Sequence, residues 1–131
     1  MTKDTYFYAL GRRKSATARV RLQGGKGAMI INKKSAEEYF SGSAYLLKDL
    51  KQPFEVIGKE NFDVSVVVSG GGLSSQVDAI KLGVSRALAL MNEDLKGTLK
   101  RADLLGRDPR EKERKKCGLK KARKQRQFTK R

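Results

Sequence analysis

The chain has 131 residues, enough for one domain with a modest core and too few for a second full domain. Thirty Lys and Arg against 14 Asp and Glu leave a formal charge of +16, which favours a polyanionic partner, with nucleic acid ahead of an anionic membrane. There is no histidine, which removes most zinc sites and every histidine acid or base, and the single cysteine, Cys117, admits no intrachain disulfide.

The N-terminal "MTKDTYFYAL" lacks a basic segment followed by a long apolar one, and no run approaches the roughly 20 apolar residues of a membrane span. The expectation is a soluble, cytoplasmic protein with no membrane partner. A strand starts at Tyr6–Leu10, and Gly11–Ser15 reads as a break. From Ala16 to Gln23, apolar Ala16, Ala18, Val20 and Leu22 alternate with Thr17, Arg19, Arg21 and Gln23, so one face packs on a core and the arginines point away from it. "GGKG" at 24–27 followed by "AMIIN" reads as a turn and a returning strand, which together with the strand before it make a hairpin. Ser35 with Glu38 forms a capping box for a short helix through "AEEYF", ended at Ser41-Gly42. A second short helix through "SAYLLKDL" stops before Pro53.

"FDVSVVVSG" alternates Phe62, Val64, Val66 and Val68 on one face, as a strand packed against helices does. After it, Val77, Ile80, Val84, Ala87, Leu88 and Met91 recur at helical spacing, with Ser75 and Asp78 as the capping pair and Lys81 and Ser85 on the opposite side. A last short helix is expected through "TLKRADLL", stopped by Gly106, with Asp108-Pro109 marking the exit. The fold class is therefore α+β or α/β: a small mixed sheet packed on helices, followed by a long extended basic C-terminal arm.

The charge is unevenly placed. Residues 1–99 carry 15 basic and 10 acidic side chains, a net of +5, whereas 100–131 carry 15 and 4, a net of +11. A segment so charged and so poor in apolar residues buries too little surface to offset its ordering entropy, so it needs a partner to acquire structure. The division is a globular RNA-binding domain over 1–106 and an arm over 107–131. The 22 residues from Arg110 span about 70 Å when fully extended.

Three motifs carry chemistry. Gly70, Gly71 and Gly72, between a strand and a helix, serve either as a tight turn or as amides approaching a nucleic-acid backbone, two compatible readings. They match neither phosphate-loop nor dinucleotide signatures. "GRRK" at 11–14 sets Arg12, Arg13 and Lys14 beside a strand carrying Arg19 and is read as a solvated basic loop or as a second RNA contact. The arm's Arg114, Lys115, Lys116, Lys120, Lys121, Arg123, Lys124 and Arg126 are interspersed with Gly118, Gln125, Gln127 and Phe128. Arginine forks, glutamine amides and an aromatic ring suit phosphates, base edges and base faces, so RNA or DNA binding is expected. Cys117 has no second cysteine or base nearby in sequence to activate it and is read as incidental. Glu37-Glu38 and Glu93-Asp94 read as helix surface, and no catalytic constellation, metal site or cofactor site emerges.

Together "GRRKSATARV", "VSGGGLSSQVDAIKLGVSRAL", "LLGRDPREKERKKCGLKKARK" and the closing "QFTKR" resemble the family of universal ribosomal protein nine of the small subunit, in its bacterial-type form. The resemblance implies a ribosomal S-five second-domain-like fold on the head of that subunit, beside neighbouring head proteins. It implies that Arg12, Arg13, Lys14, Arg19, Gly70, Gly71, Gly72 and the arm through Phe128 meet small-subunit rRNA. It further implies that Thr129, Lys130 and Arg131 meet peptidyl-site tRNA. The sequence departs slightly from the family pattern, with Thr129 where Ser is common, Cys117 where Tyr or Pro often stands, and Gln125 interrupting the basic run; none of these removes a cation from the tip. The rival readings are a basic DNA- or RNA-compacting protein outside the ribosome and a nucleotide-binding enzyme built on the glycine loop.

Overall fold

In a computed structural model of the chain, residues 6–58, 61–111 and 113–124 are described. Among these residues ten elements follow in order: β1 Phe7–Arg13, β2 Ala16–Gly24, β3 Met29–Ile31, β4 Lys34–Ser35, α1 Ala36–Tyr39, α2 Ala44–Leu50, α3 Gln52–Ile57, β5 Phe62–Ser69, α4 Leu73–Met91 and α5 Asp94–Arg101. The five strands form one sheet in the order β1-β2-β5-β3-β4. All neighbours are antiparallel except β3 and β5, which run parallel because the chain crosses between them through α1–α3. This is the small mixed sheet packed on helices that the alternation predicts.

β1 does not break at Gly11. It continues to Arg13 and pairs with β2 along its whole length, Gly11 opposite Ala18 and Arg13 opposite Ala16. Gly11 is needed for a different reason: a Cβ there would overlap the Ala79 carbonyl and lie 2.6 Å from the Gly83 amide nitrogen, so the glycine lets α4 approach the strand. Gly83 answers from the helix side, where a Cβ would lie 2.5 Å from Cγ2 of Val20.

The hairpin expected across 24–27 does not form. β2 takes β5 as its second neighbour, and β3 lies beyond β5. The eight-residue β5, with Val64, Val66 and Val68 buried, outcompetes a three-residue strand for that edge. The glycines form a corner instead, and the Asp63 carboxylate accepts from the amides of Lys26 and Ala28, both at 3.1 Å.

Ser35 caps α1 as its spacing predicts, its Oγ accepting from the Glu38 amide at 3.2 Å. α2 ends before Pro53, but a third helix begins at once with Pro53 in its first turn, where a missing N–H costs nothing. That helix buries Phe54, whose ring stacks on Phe62 at 6.1 Å. The N-cap of α4 is Gly72 rather than the Ser75–Asp78 pair, because Gly70 and Gly71, both at positive φ, turn the chain straight into the helix. Its predicted stripe is buried from Val77 to Leu88 and half-buried at Met91, but the opposite side is not open: α2 and α3 lie across it. Ser85 is fully buried and donates to the Lys81 carbonyl at 2.8 Å, and Lys81 Nζ reaches Asp49 at 3.0 Å and Gln52 Oε1 at 3.2 Å.

The last helix also lies earlier than expected. It ends in two reverse bonds, Asp103 N to the Lys100 carbonyl and Leu104 N to the Leu99 carbonyl, both 3.1 Å, with Asp103 at φ 58°. This is a Schellman closure in which Asp takes the position usually held by glycine, so Gly106 is not the stop. Leu99 and Leu104 are buried on either side of it and close the core beneath the start of the arm.

Candidate nucleic-acid interface

The "GRRK" block forms the tip of the β1–β2 hairpin. Arg13 pairs with Ala16, leaving Lys14 and Ser15 as the turn, with Lys14 at φ 53°. Strand alternation separates the three cations. Arg12 and Lys14 are exposed. Arg13 shares the face of Ala9 and Gly11 and points towards α4; its side chain is only 16% exposed. Its guanidinium donates to the Arg110 carbonyl at 2.7 Å and lies 3.7 Å from Asp78 and 3.5 Å from Asp108. Arg12 and Lys14 are thus presented outward, while Arg13 ties the root of the arm to the hairpin and to α4. Sequence reasoning grouped the three as one block. The alternation through Ala9, Gly11 and Arg13 was the signal that separates them.

The glycine loop lies against this tip, since Thr17 of β2 pairs with Ser69 of β5. Gly70 and Gly71 adopt φ 75° and 67°, and a Cβ on Gly70 would come within 2.5 Å of the Ser15 carbonyl oxygen. These two glycines satisfy the tight-turn reading. Gly72 has open space around its Cα and caps α4, so its neighbourhood combines exposed backbone with the positive end of a 19-residue helix. Gln76 braces the loop, its amide donating to the Gly70 carbonyl at 3.0 Å and its oxygen accepting from Tyr39 Oη at 2.8 Å. Arg19 is also exposed but lies three residues into β2, about 10 Å from the tip along the strand.

The arm leaves from the same end. Asp108 accepts from Nε, Nη2 and the backbone amide of Arg110, and these bonds, with Arg13 nearby, hold its carboxyl well below the usual carboxylate range. Asp78 and Asp108, which sequence reasoning used only as cap and boundary markers, are therefore the acids that fasten the arm. Among the described residues, 107–124 contain no helix. Glu113 pairs with Lys116 and, at 2.8 Å, with Arg123, while Gly118 at φ 84° turns the chain between them. Arg114, Lys115, Lys116, Lys120, Lys121, Arg123 and Lys124 all belong to exposed residues, as does Cys117. Arg126, Phe128, Thr129, Lys130 and Arg131 lie outside the described residues.

Three separated stretches thus converge at one end of the sheet: the hairpin tip, the glycine loop with the start of α4, and the root of the arm. Arg12, Lys14 and Gly72 face solvent there, and the acids within reach, Asp78 and Asp108, are already paired with Arg13, Lys81 and Arg110. Such an end attracts a phosphate backbone through cations, amides and a helix dipole together.

The profile of the family described as ribosomal protein S9/S16 matches residues 11–131. The small ribosomal subunit protein uS9 of Mycoplasma mobile is 54% identical over 98% of this chain and 98% of its own length. The proteins of the same name from Mycoplasmopsis pulmonis and Crocosphaera subtropica are each 50% identical; the first match covers 98% of this chain and 95% of that protein, the second 95% and 92%.

Proposed function

The chain belongs to the ribosomal protein S9/S16 family, and on that premise we propose that it anchors itself in small-subunit rRNA through its hairpin tip, glycine loop and arm while its C-terminal tip meets peptidyl-site tRNA. It is a structural protein of the small ribosomal subunit, not an enzyme. It acts in translation in the cytoplasm, and its partners are the RNA and the other proteins of that subunit. The observation that carries the finer reading is the convergence of Arg12, Lys14, Gly72 and the root of the arm at one end of the sheet.

Two steps make up the mechanism. Residues 1–106 fix position and register by phosphate contacts that carry no sequence information. Residues 107–131 then order on RNA, their cations neutralising backbone repulsion where RNA segments pack closely in the head of the subunit. Arg13, with Asp78 and Asp108, gives the arm a set point of departure from the domain. The closing Lys130 and Arg131 rest against tRNA phosphates, with Thr129 beside them, and favour retention of tRNA in its site. Family membership weighs against the DNA- or RNA-compacting rival, which the charge alone does not separate.

Removing Lys130 and Arg131 is expected to leave subunit assembly intact and to weaken tRNA binding at the peptidyl site. Each exposed phosphate contact contributes about 1 kcal/mol or less, so the loss is at most about 30-fold. Filter binding of tRNA to subunits carrying the truncated protein measures it. An affinity equal to that of intact subunits sinks the role of the tip.

A further inference from the structure

The sheet has a second face that no described helix covers. α4 lies across β1, β2 and β5 on the side of Ala9, Val20 and Val66. On the other side, cross-strand pairing sets side chains in rows. Tyr8 stands opposite Arg21, which stands opposite Ser65; Leu10 opposite Arg19, opposite Val67; Arg12 opposite Thr17, opposite Ser69. Tyr8 is 45% exposed, Tyr6 beside it 46%, Val67 58%, and Ile30, next to Ser65 on β3, 47%. A solvated face of an antiparallel sheet ordinarily carries polar residues, so a patch of rings and branched side chains marks a contact surface.

The chemistry of the patch selects the partner. Each of the three rows holds one exposed arginine, and the Arg21 guanidinium sits 5.2 Å from the centroid of the Tyr6 ring. The one carboxylate that β1, β2 and β5 place on this face, Asp63, is committed to the amides of Lys26 and Ala28. Three arginines with no free acid on these strands among the described residues call for an anion running along the sheet, and two exposed tyrosines among them offer faces to flat rings. Unstacked nucleotides supply both.

We propose that this open face is a stacking platform for single-stranded RNA, with Tyr6 and Tyr8 taking base faces and Arg12, Arg19 and Arg21 taking phosphates. It continues the interface at the hairpin tip along the sheet, and it rests on the reading that the chain binds small-subunit rRNA.

The test uses the full chain, a single-stranded RNA oligomer carrying 2-aminopurine, and inorganic polyphosphate as a polyanion without bases. The wild-type chain should quench the 2-aminopurine on binding. Tyr8→Thr, which keeps strand propensity, should weaken RNA binding about tenfold and diminish the quench. It should leave polyphosphate affinity unchanged, and Tyr8→Phe should behave as wild type. Arg21→Thr, a substitution at an exposed strand position, should weaken binding of both polyanions. RNA binding by Tyr8→Thr and Arg21→Thr that equals wild type overturns the proposal and leaves the face to a protein partner. Equal loss of RNA and polyphosphate binding in Tyr8→Thr also overturns it, because stacking then plays no part. The ribosomal assignment fails by a different result, absence of the chain from small subunits, so the two are separable.

Discussion

Deleting Arg110–Arg131 is expected to prevent stable entry of the protein into the small subunit while leaving the domain folded. The deleted stretch carries 12 Lys and Arg and two Glu. If about half of those cations meet phosphate at about 0.5 kcal/mol each, the loss is about 3 kcal/mol, or more than a hundredfold in affinity. The domain survives because the core closes at Leu104, ahead of the cut, and the bonds described across the cut are those of Arg110, whose carbonyl accepts from Arg13 and whose amide and guanidinium donate to Asp108. Reconstitution with the truncated and full-length proteins in competition measures the effect. Equal incorporation of the two would remove the arm as anchor. The salt dependence adds a second reading: the truncated protein should show a shallower fall of log affinity with log salt, because fewer counterions are released.

Gly11→Ala is expected to destabilise the domain by about 3 kcal/mol, near the top of the range for overpacking, lowering Tm by roughly 10 °C or more. The added methyl would occupy the space of the Ala79 carbonyl and crowd the Gly83 amide, and both belong to helical backbone that can yield only if α4 moves off β1. Displacing α4 also separates Arg13 from Asp78, so the end of the sheet that carries the proposed interface loosens with the core. Gly24→Ala serves as the control. Nothing lies within 4 Å of the added atom, and the change should stay within about 0.5 kcal/mol. Thermal unfolding followed by circular dichroism separates the two variants, and a Gly11→Ala protein that melts with the wild type would contradict this account of the β1–α4 packing.

Period decided what could be read without coordinates. Ala16 to Leu22 and Val64 to Val68 alternate so regularly that their buried faces follow directly, and Val77 to Leu88 fixes the packed stripe of α4 in the same way. Adjacency was harder. Nothing local in "GGKG" shows that β5, some forty residues on, takes the edge of β2 in preference to β3, because that choice depends on how much apolar surface each partner buries. Punctuation residues misled where their role was tertiary. Gly11 looked like a break and is a packing notch; Pro53 looked like a stop and is a helix start; Gly106 looked like the stop that Asp103 provides.

The site was legible in part for the same reasons. The glycine loop and the basic blocks stood out by composition, but their convergence came only from the pairing of β2 with β1 and β5. Charge counting treated Arg12, Arg13 and Lys14 alike, whereas strand geometry turns Arg13 inward to the acids that hold the arm. The open sheet face is not legible in any single stretch, because Tyr8, Arg21 and Val67 lie on three strands, one of them distant in sequence, and Tyr6 stands just ahead of β1.

On the proposed function, ionic contact with RNA holds this chain in the small subunit. Sedimentation of native ribosomal subunits through gradients of rising salt tests it most directly. The protein should travel with the small subunit at physiological salt and leave it only at high salt, with the release point falling when the arm is cut. Recovery of the protein in the free fraction at physiological salt, or on the large subunit, would contradict the account.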